Sequence, residues 1–361
     1  MRLAVVGTGL IGASAALAAR RSGTEVVGWD EDPATLDIAV ERGAVEPAPS
    51  LAASLVGADV ALVAVPVAVL PAVVQDVLAH APTACTVTDA GSTKGAVCAS
   101  AGDDSRFVGG HPICGAETRG PARASADLFE GATWFLAPLA TTDPERYRAV
   151  HAFVAGLGAR PFAIDPSAHD RLVAVTSHLP HALANVLLNQ AGSSRIDGHD
   201  PLAAAGGSLR DMTRIAGANP RIWVDIFLEN SEALAASLAE HRRRVEQLED
   251  ALASGDAGFL ARWIGEASGN RRRLLETAYE DPGALHRMRV HLPDRPGVLA
   301  GVFQALGAER INVEDFEMEH LSPDRGGTLT ILVAGESDAT LATRLLEEQG
   351  YGVVVAPVLD D

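Results

Sequence analysis

The first twelve residues constrain the fold more than any other part of the chain. The apolar run 3–6 reads as a strand, Gly7, Gly9 and Gly12 follow it as GxGxxG, and a helical pattern begins at Leu10. In the dinucleotide fingerprint, these glycines permit a tight turn and a close approach of the pyrophosphate to a helix N-terminus. We therefore predict a dinucleotide site in this loop. Its predicted cofactor-binding residues are Gly7, Thr8, Gly9, Leu10, Ile11 and Gly12.

A carboxylate follows the second predicted strand, as the same fingerprint requires. Asp30 comes directly after the strand predicted over Glu25–Trp29. A carboxylate at this point accepts hydrogen bonds from the ribose hydroxyls of NAD and repels the 2′-phosphate of NADP. We therefore predict NAD as the cofactor. Val65, Pro66 and Lys94 complete the predicted cofactor site.

Three regions of different residue pattern indicate a three-domain α/β protein. Residues 1–165 alternate apolar strands with helices, which predicts a parallel sheet covered on both faces, a Rossmann domain. Residues 166–281 lack strand signals and predict an all-helical domain. Residues 284–361 carry the order βαββαβ, which predicts a ferredoxin-like unit. The strands expected in the first region are Arg2–Val6, Glu25–Trp29, Val60–Val65, Thr86–Ala90, Arg106–Val108, Thr133–Ala137 and Arg160–Ile164.

Charge and cysteine content exclude several classes of partner. The formal net charge is −18, which is unsuited to binding nucleic acid or anionic membranes. Three cysteines without a CxxC pair suit a reducing cytosol better than a disulfide framework. The longest apolar stretch, 61–74, is interrupted by Pro66 and Pro71 and is too short to span a bilayer. We expect a cytoplasmic protein.

Two polar segments follow strands of the Rossmann region, at the edge where open α/β sheets bind ligands. Ser92 and Lys94 lie in the turn 88–94, where a plain helix cap is the alternative role for Ser92. His111 precedes Pro112, which favours an extended backbone, and histidine suits proton removal near neutral pH. A packed core histidine is the alternative. The pattern favours a functional role for the turn 88–94 and favours His111 as a residue that removes a proton.

The helical region carries a second group of polar residues. His178 and His181 share a helix face, and Pro180 is expected to kink that helix. We find no third ligand at a suitable spacing, so the sequence predicts no metal site. Arg214 is suited to bind a carboxylate in a bidentate manner, although an ion pair with Asp211 is equally open. One helix is expected over Pro220–Ala253.

Five motifs, in this order, resemble the prephenate dehydrogenase family. They are GTGLIG (7–12), DAGSTK (89–94), GGHPICGAE (109–117), SHLPH (177–181) and DMTRIA (211–216) followed by Trp223, and LPDRPGVLAGVF (292–303) with INVEDFEM (311–318) resembles an ACT domain.

The resemblance implies NAD-dependent oxidative decarboxylation of prephenate, a homodimer formed through the helical domain, and inhibition by L-tyrosine at the ACT domain. It implies that His111 and Ser92 act on the substrate hydroxyl. The substrate-binding residues that it implies are Arg214, His178, His181, Glu117, Gly207, Asp211 and Trp223. It also implies an amino-acid site near Gly297 and Asn312, where Asn312 is expected to begin a strand.

Three other functions remain open at this point. Arogenate dehydrogenase differs only in the substrate side chain, and Ala116 stands where the family often has a hydroxyl residue, which leaves that preference undecided. A β-hydroxyacid dehydrogenase would require a catalytic lysine in the helical domain, where this chain has none. An amino-acid-sensing regulator would be expected to lack Ser92, His111 or Arg214, and all three are present.

Overall fold

The computed structural model describes residues 1–114, 120–278, 282–322 and 326–358. The chain divides into two compact units, 1–244 and 245–361. The domain boundaries drawn from the sequence stay predictions. No helix in the described ranges is long and apolar enough to cross a membrane.

An eight-stranded sheet forms the centre of the first unit. Its order is β3-β2-β1-β4-β5-β6-β7-β8, with every neighbouring pair parallel except β6 and β7. The strands are β1 (Arg2–Val6), β2 (Glu25–Trp29), β3 (Glu46–Pro47), β4 (Val60–Val63), β5 (Thr86–Asp89), β6 (Phe107–Ile113), β7 (Thr133–Pro138) and β8 (Arg160–Ala163). The helices between them are α1 (Leu10–Arg21), α2 (Pro33–Glu41), α3 (Leu51–Ser54), α4 (Leu70–His80), α5 (Gly95–Ala101) and α6 (Pro144–Gly156).

Helices cover both faces of this sheet, as continuous apolar strands require. On one face, alanines of α1 pack with Leu3, Val5 and Phe153. On the other face, α4 and α5 pack over Val63 and Val87. Side chains from both faces are therefore buried along the central strands, and polar residues are left to the strand ends.

The expectation of a wholly parallel sheet was wrong at β6 and β7, which pair antiparallel over 108–113 and 133–138. This pairing extends β6 to Ile113, beyond the strand predicted over Arg106–Val108. His111 consequently lies within a strand, opposite Phe135, rather than after one. The partner strand is more than twenty residues away in the chain, so local pattern could not reveal the extension.

The remainder of the first unit is helical. Its helices are α7 (Pro166–Val173), a π-helical turn (Ala174–His178), α8 (Leu179–Ser193), α9 (Gly207–Thr213), α10 (Pro220–Glu229) and the first part of α11 (Ser231–Ser254), which continues past residue 244 into the second unit. The π turn directly precedes Pro180, which cannot donate to a helical carbonyl, and this confirms the expected distortion. The single helix expected over Pro220–Ala253 was wrong, because the chain breaks at Asn230 between α10 and α11.

The second unit contains α12 (Ala257–Ala278) and a four-stranded antiparallel sheet. The sheet order is β10-β11-β9-β12, formed by β9 (Leu285–Leu292), β10 (Asp315–Ser322), β11 (Gly326–Ala334) and β12 (Gly352–Pro357). The two helices of this fold are α13 (Val298–Ala308) and α14 (Glu336–Glu348), which cover one face. The order is βαββαβ, as predicted. Asn312, however, precedes β10 by three residues, because the strand begins only at Asp315.

Candidate active site

The glycine-rich loop has the geometry of a dinucleotide site. Gly7 has φ +91°, and a Cβ atom there would lie 2.5 Å from the Ala64 carbonyl oxygen. A Cβ on Gly12 would lie 1.9 Å from the Gly7 carbonyl oxygen. These close contacts explain why Gly7 and Gly12 have no side chain. Gly9, by contrast, has no atom of the described residues within 4 Å of its Cβ position, and it precedes α1 without a side-chain cap. The helix N-terminus is therefore open to an anion.

Asp30 is fixed beside this loop. The backbone N–H of Thr8 donates to Asp30 Oδ2 at 2.6 Å, and the N–H of Asp32 donates to Asp30 Oδ1 at 3.0 Å. The carboxylate thus connects the end of β2 to the loop after β1. This is the position from which the fingerprint's acidic residue meets a ribose.

The other predicted loop residues lie around the same turn. Val65 Cγ1 is 2.9 Å from the position that a Gly7 Cβ would take, which places the end of β4 against the loop. Pro66 follows and is exposed. Leu10 and Ile11, in the first turn of α1, are both half-buried.

Lys94 has a different position from the one expected. Its side chain is fully buried, and its ammonium group donates to Asp89 Oδ2 and, at 2.6 Å, to the Gly110 carbonyl oxygen. A group without solvent exposure cannot contact a cofactor in the cleft. The assignment of Lys94 to cofactor binding is therefore corrected: this residue is part of a buried ion pair that joins β5, α5 and β6.

A hydrogen-bonded chain of three side chains connects β6 to α7. His111 Nδ1 lies 2.8 Å from His169 Nε2, and His169 Nδ1 lies 2.8 Å from Asp170 Oδ1. Asp170 also accepts the backbone N–H groups of Lys94 and Gly95, each at 2.7 Å. The N-terminus of α5 thus holds the carboxylate at the end of the chain.

This chain determines which nitrogen of His111 is free. Burial alone would raise the pKa of Asp170, but the hydrogen bonds that it accepts lower the pKa below its ordinary value, so the group is ionised. An ionised carboxylate only accepts, so a neutral His169 donates from Nδ1 and accepts at Nε2. His111 must then donate from Nδ1, which leaves its Nε2 unprotonated. The arrangement provides a neutral imidazole that can take a proton.

Burial keeps His111 neutral. It lowers the pKa of His111 well below the ordinary histidine value, and the nearby His169, Lys94 and His178 lower it further. A base that titrates below neutral pH is unprotonated under physiological conditions. The lowered pKa and the tautomer therefore both leave Nε2 of His111 able to accept a proton.

His178, His181 and Trp223 lie together, as expected for a site wall. The rings of His181 and Trp223 are stacked with centroids 3.5 Å apart, and His178 meets Trp223 edge-on at 6.1 Å. The Asn230 amide group donates to the Asp170 carbonyl oxygen at 2.8 Å and lies 3.1 Å from His178 Nδ1. Burial is the main cause that lowers the pKa of His178 to about 4. This wall is thus connected to the His111 chain.

The remaining predicted site residues lie outside the hydrogen-bonded chain of His111, His169 and Asp170. Ser92 lies half-buried in the turn between β5 and α5, and within the described ranges its hydroxyl makes no hydrogen bond, including none to His111. Gly207 begins α9, Asp211 is exposed within it, and Arg214 follows its last residue. Glu117 lies outside the described residues. Their roles in substrate binding stay predictions.

The residues predicted for regulation lie in the second unit. Gly297 has φ +89° and precedes α13, and in the described part of the chain no atom lies within 4 Å of its Cβ position. Asn312 donates to Glu314 Oε1 at 2.7 Å.

Sequence reasoning missed His169, Asp170 and Asn230. The pair His169–Asp170 lies in the first turns of α7, where a capping helix pattern predicts only solvent-exposed polar residues. The one available signal was Asn230, a helix-disfavouring residue within a long helical pattern. A histidine followed by an aspartate carries no local mark of partnership with a residue 58 positions earlier.

Known protein families match this chain over most of its length. Residues 15–162 match the family described as prephenate dehydrogenase, nucleotide-binding domain, residues 165–266 match the prephenate dehydrogenase dimerization domain, and residues 286–350 match the ACT domain. The prephenate dehydrogenase of Bacillus subtilis (strain 168) is 31% identical over 354 residues, which cover 95% of each chain.

Two solved structures resemble this chain. Synechocystis arogenate dehydrogenase has a TM-score of 0.70 and 30% identity, covering 76% of this chain and 100% of that one. The A. aeolicus prephenate dehydrogenase in complex with hydroxyphenyl propionate and NAD+ also has a TM-score of 0.70 and 30% identity, covering 76% and 98%. The predicted fold class, a Rossmann domain followed by a helical dimerisation domain and an ACT domain, is confirmed. The chain belongs to the prephenate dehydrogenase family.

Proposed function

We propose that this protein catalyses the NAD-dependent oxidative decarboxylation of prephenate to 4-hydroxyphenylpyruvate. The observation that carries the proposal is the chain from Asp170 through His169 to His111, which leaves a neutral imidazole nitrogen at the ligand-binding side of the Rossmann sheet. Family membership agrees with an NAD-dependent dehydrogenase.

His111 removes the proton of the substrate's C4 hydroxyl. Its Nε2 accepts this proton, and the positive charge that develops on the ring is stabilised through His169 by the Asp170 carboxylate. Bound NAD would accept the hydride from C4. The ring carboxylate leaves as CO2 and its bonding electrons complete the aromatic ring, which supplies the driving force. The protein therefore has mainly to orient the substrate and hold one base in place.

The other predicted residues position the substrate. Ser92, whose hydroxyl is half-buried, bonds to the C4 hydroxyl, and Arg214 binds a substrate carboxylate. The stacked His181–Trp223 pair provides a flat surface for the substrate ring, and His178 lines the same wall. Glu117, Gly207 and Asp211 complete the pocket. Substituting Arg214 with Gln should raise KM for prephenate more than it lowers kcat, because the carboxylate contact exists before and during the reaction.

Asp30 selects NAD over NADP. Its carboxylate faces the site from the end of β2, where it would repel a 2′-phosphate. The two nearest cations in sequence are engaged elsewhere, since Arg21 pairs with Asp127 and Arg20 lies 3.9 Å from Glu46.

Arogenate is the second candidate substrate, and the similarity to the Synechocystis arogenate dehydrogenase favours keeping it. Arogenate carries an amino group where prephenate has a keto group. Initial rates of NADH or NADPH formation with each substrate and each cofactor test the proposal. We expect prephenate with NAD to have the highest kcat/KM. Absence of turnover with both substrates would refute the assignment.

The helical region forms a homodimer. The 22-residue helix α12 has a single buried residue among those described, Leu275, while Trp263, Ile264 and Leu274 are exposed. An amphipathic helix with its apolar side uncovered is not stable in water, so a second copy is expected to cover it. The match to a dimerization domain supports this partner. Analytical ultracentrifugation of the wild type and of Ile264→Asp tests it, with a dimer expected only for the former.

The ACT domain binds an amino acid, with L-tyrosine as the expected inhibitor. Gly297 leaves space at the start of α13, next to a helix N-terminus that could meet a carboxylate. Titration calorimetry with L-tyrosine on the wild type and on Gly297→Val tests this site, with the melting temperature of both measured because a side chain at φ +89° strains the backbone. Binding should be lost in the variant while basal turnover is kept.

A further inference from the structure

Lys94 is the only lysine among the 29 basic residues of the chain. Arginine stands at every other position that carries a permanent positive charge. The side chain of Lys94 is fully buried, and a compact ammonium group fits a small enclosed site better than a planar guanidinium.

The ammonium group of Lys94 and the carboxylate of Asp89 hold the two polar atoms of one peptide residue. Lys94 donates to the Gly110 carbonyl oxygen at 2.6 Å, and the Gly110 N–H donates to Asp89 Oδ1 at 2.9 Å. Asp89 Oδ2 accepts both from Lys94 and from the Gly91 N–H. Gly110 directly precedes His111.

The side chains of Lys94 and Asp89 take the place of backbone hydrogen bonds between β5 and β6 at Gly110. Strand β5 pairs with β6 at Val87 with Phe107 and at Thr88 with Val108. Beyond that point, no backbone group of the described residues bonds to Gly110 on the β5 side, and the two charged side chains occupy its N–H and C=O instead. The strand can therefore continue to His111 with these groups satisfied.

We propose that Lys94 is a positioning residue for His111, whose buried ammonium group holds the Gly110 carbonyl and with it the strand segment that carries the imidazole. The effect of Lys94 on catalysis rests on the proposed function, because it assumes that His111 is the base. The placement of His111 through Gly110 does not rest on that function.

The same ammonium group affects the charge of His111. The groups that face His111 are His169 on α7, His178 on the π turn and the Lys94–Asp89 pair, with Asp170 behind His169. Among these, the positive charge of Lys94 opposes protonation of His111. Its removal leaves the Asp89 carboxylate uncompensated, so the pKa of His111 should rise.

Two substitutions separate the two roles. Lys94→Met removes both the hydrogen bonds and the charge, whereas Lys94→Gln keeps an N–H donor for Gly110 and removes only the charge. Arg106→Gln is the matched control, because Arg106 lies just before β6 and donates to Asp104 and to the Leu78 carbonyl oxygen of α4, away from His111. Melting temperature and NAD affinity are measured for all three.

The decisive readouts are kcat for prephenate and the pKa of His111, measured by imidazole NMR in the free enzyme with His111→Asn for assignment. We expect Lys94→Met to lower kcat at least about tenfold through misplacement of the base, with NAD affinity unchanged. Lys94→Gln should keep more of kcat than Lys94→Met, and both should raise the pKa of His111. Arg106→Gln should change neither.

An unchanged His111 pKa together with an unchanged kcat in folded Lys94→Met would overturn the proposal. If Lys94→Met does not fold, the pKa of His111 in Lys94→Gln decides, and an unchanged pKa in that variant would overturn the proposal. The NMR titration needs no substrate. A wild type without turnover on prephenate or arogenate would therefore refute the proposed function while the placement of His111 by Lys94 is still tested.

Discussion

Replacing Asp170 with Asn should disable the base without removing it. Asp170 is the ionised acceptor that makes His169 donate from Nδ1. An amide can present its N–H group instead of its oxygen at this point. His169 would then reverse its tautomer and donate to His111 Nδ1, which would place the proton of His111 on Nε2, the atom that must accept the substrate's proton.

The size of the effect follows from the length of the chain. Two hydrogen bonds of 2.8 Å and the width of one imidazole put the Asp170 carboxylate about 8 Å from His111 Nδ1. At an effective dielectric constant of about 20, a charge at that distance stabilises the imidazolium formed on His111 by about 2 kcal/mol. This corresponds to about 30-fold in rate. The wrong tautomer adds to this loss, up to the roughly 10⁴-fold that general-base catalysis contributes.

The assay is steady-state turnover of prephenate with saturating NAD, together with NAD affinity and the melting temperature. We expect kcat of Asp170→Asn to fall at least about 30-fold, with NAD affinity retained. Asp165→Asn is the control, because Asp165 caps the same helix and asparagine caps equally well. A folded Asp170→Asn enzyme with wild-type kcat would refute the proton chain.

Three further predictions concern pH and the cofactor. Because burial lowers the pKa of His111 below 6.5, the base stays unprotonated as pH falls, so the acid limb of kcat/KM should lie below 6.5; a limb above this value would contradict the account. Gly9→Ala should weaken NAD binding but leave the melting temperature unchanged, whereas Gly12→Ala should lower the melting temperature, since its Cβ would lie 1.9 Å from the Gly7 carbonyl oxygen; equal effects on both measurements would count against a ligand above Gly9. Asp30→Ala should raise kcat/KM for NADP relative to NAD, and an unchanged ratio would remove its role in selection.

The features that depend on neighbouring residues were predictable from the sequence. The glycine-rich loop and its helix lie within twelve residues, and their geometry follows from the residue types alone. The same holds for the alternation of strands and helices and for a distortion of the helix near Pro180. The βαββαβ order of the last domain was read from local hydrophobic periods.

The features that depend on distant residues could not be predicted from the sequence. The extension of β6 to His111 requires antiparallel pairing with β7, and the partnership of His111 with His169 spans 58 residues. Lys94 was assigned to the cofactor because it follows a strand end, but burial of its side chain is a property of the packed fold. Asn230 follows the end of α10 and contacts Asp170 and His178. No local hydrophobic period indicates these contacts.

The central claim is that His111 is the base in an NAD-dependent prephenate dehydrogenase. It is tested most directly by the turnover of prephenate by His111→Asn at saturating NAD, with NAD affinity measured on the same preparation. Asparagine keeps a side chain of similar polarity but has no basic nitrogen. We predict that turnover is abolished and that NAD affinity is unchanged. Turnover near that of the wild type would contradict the account.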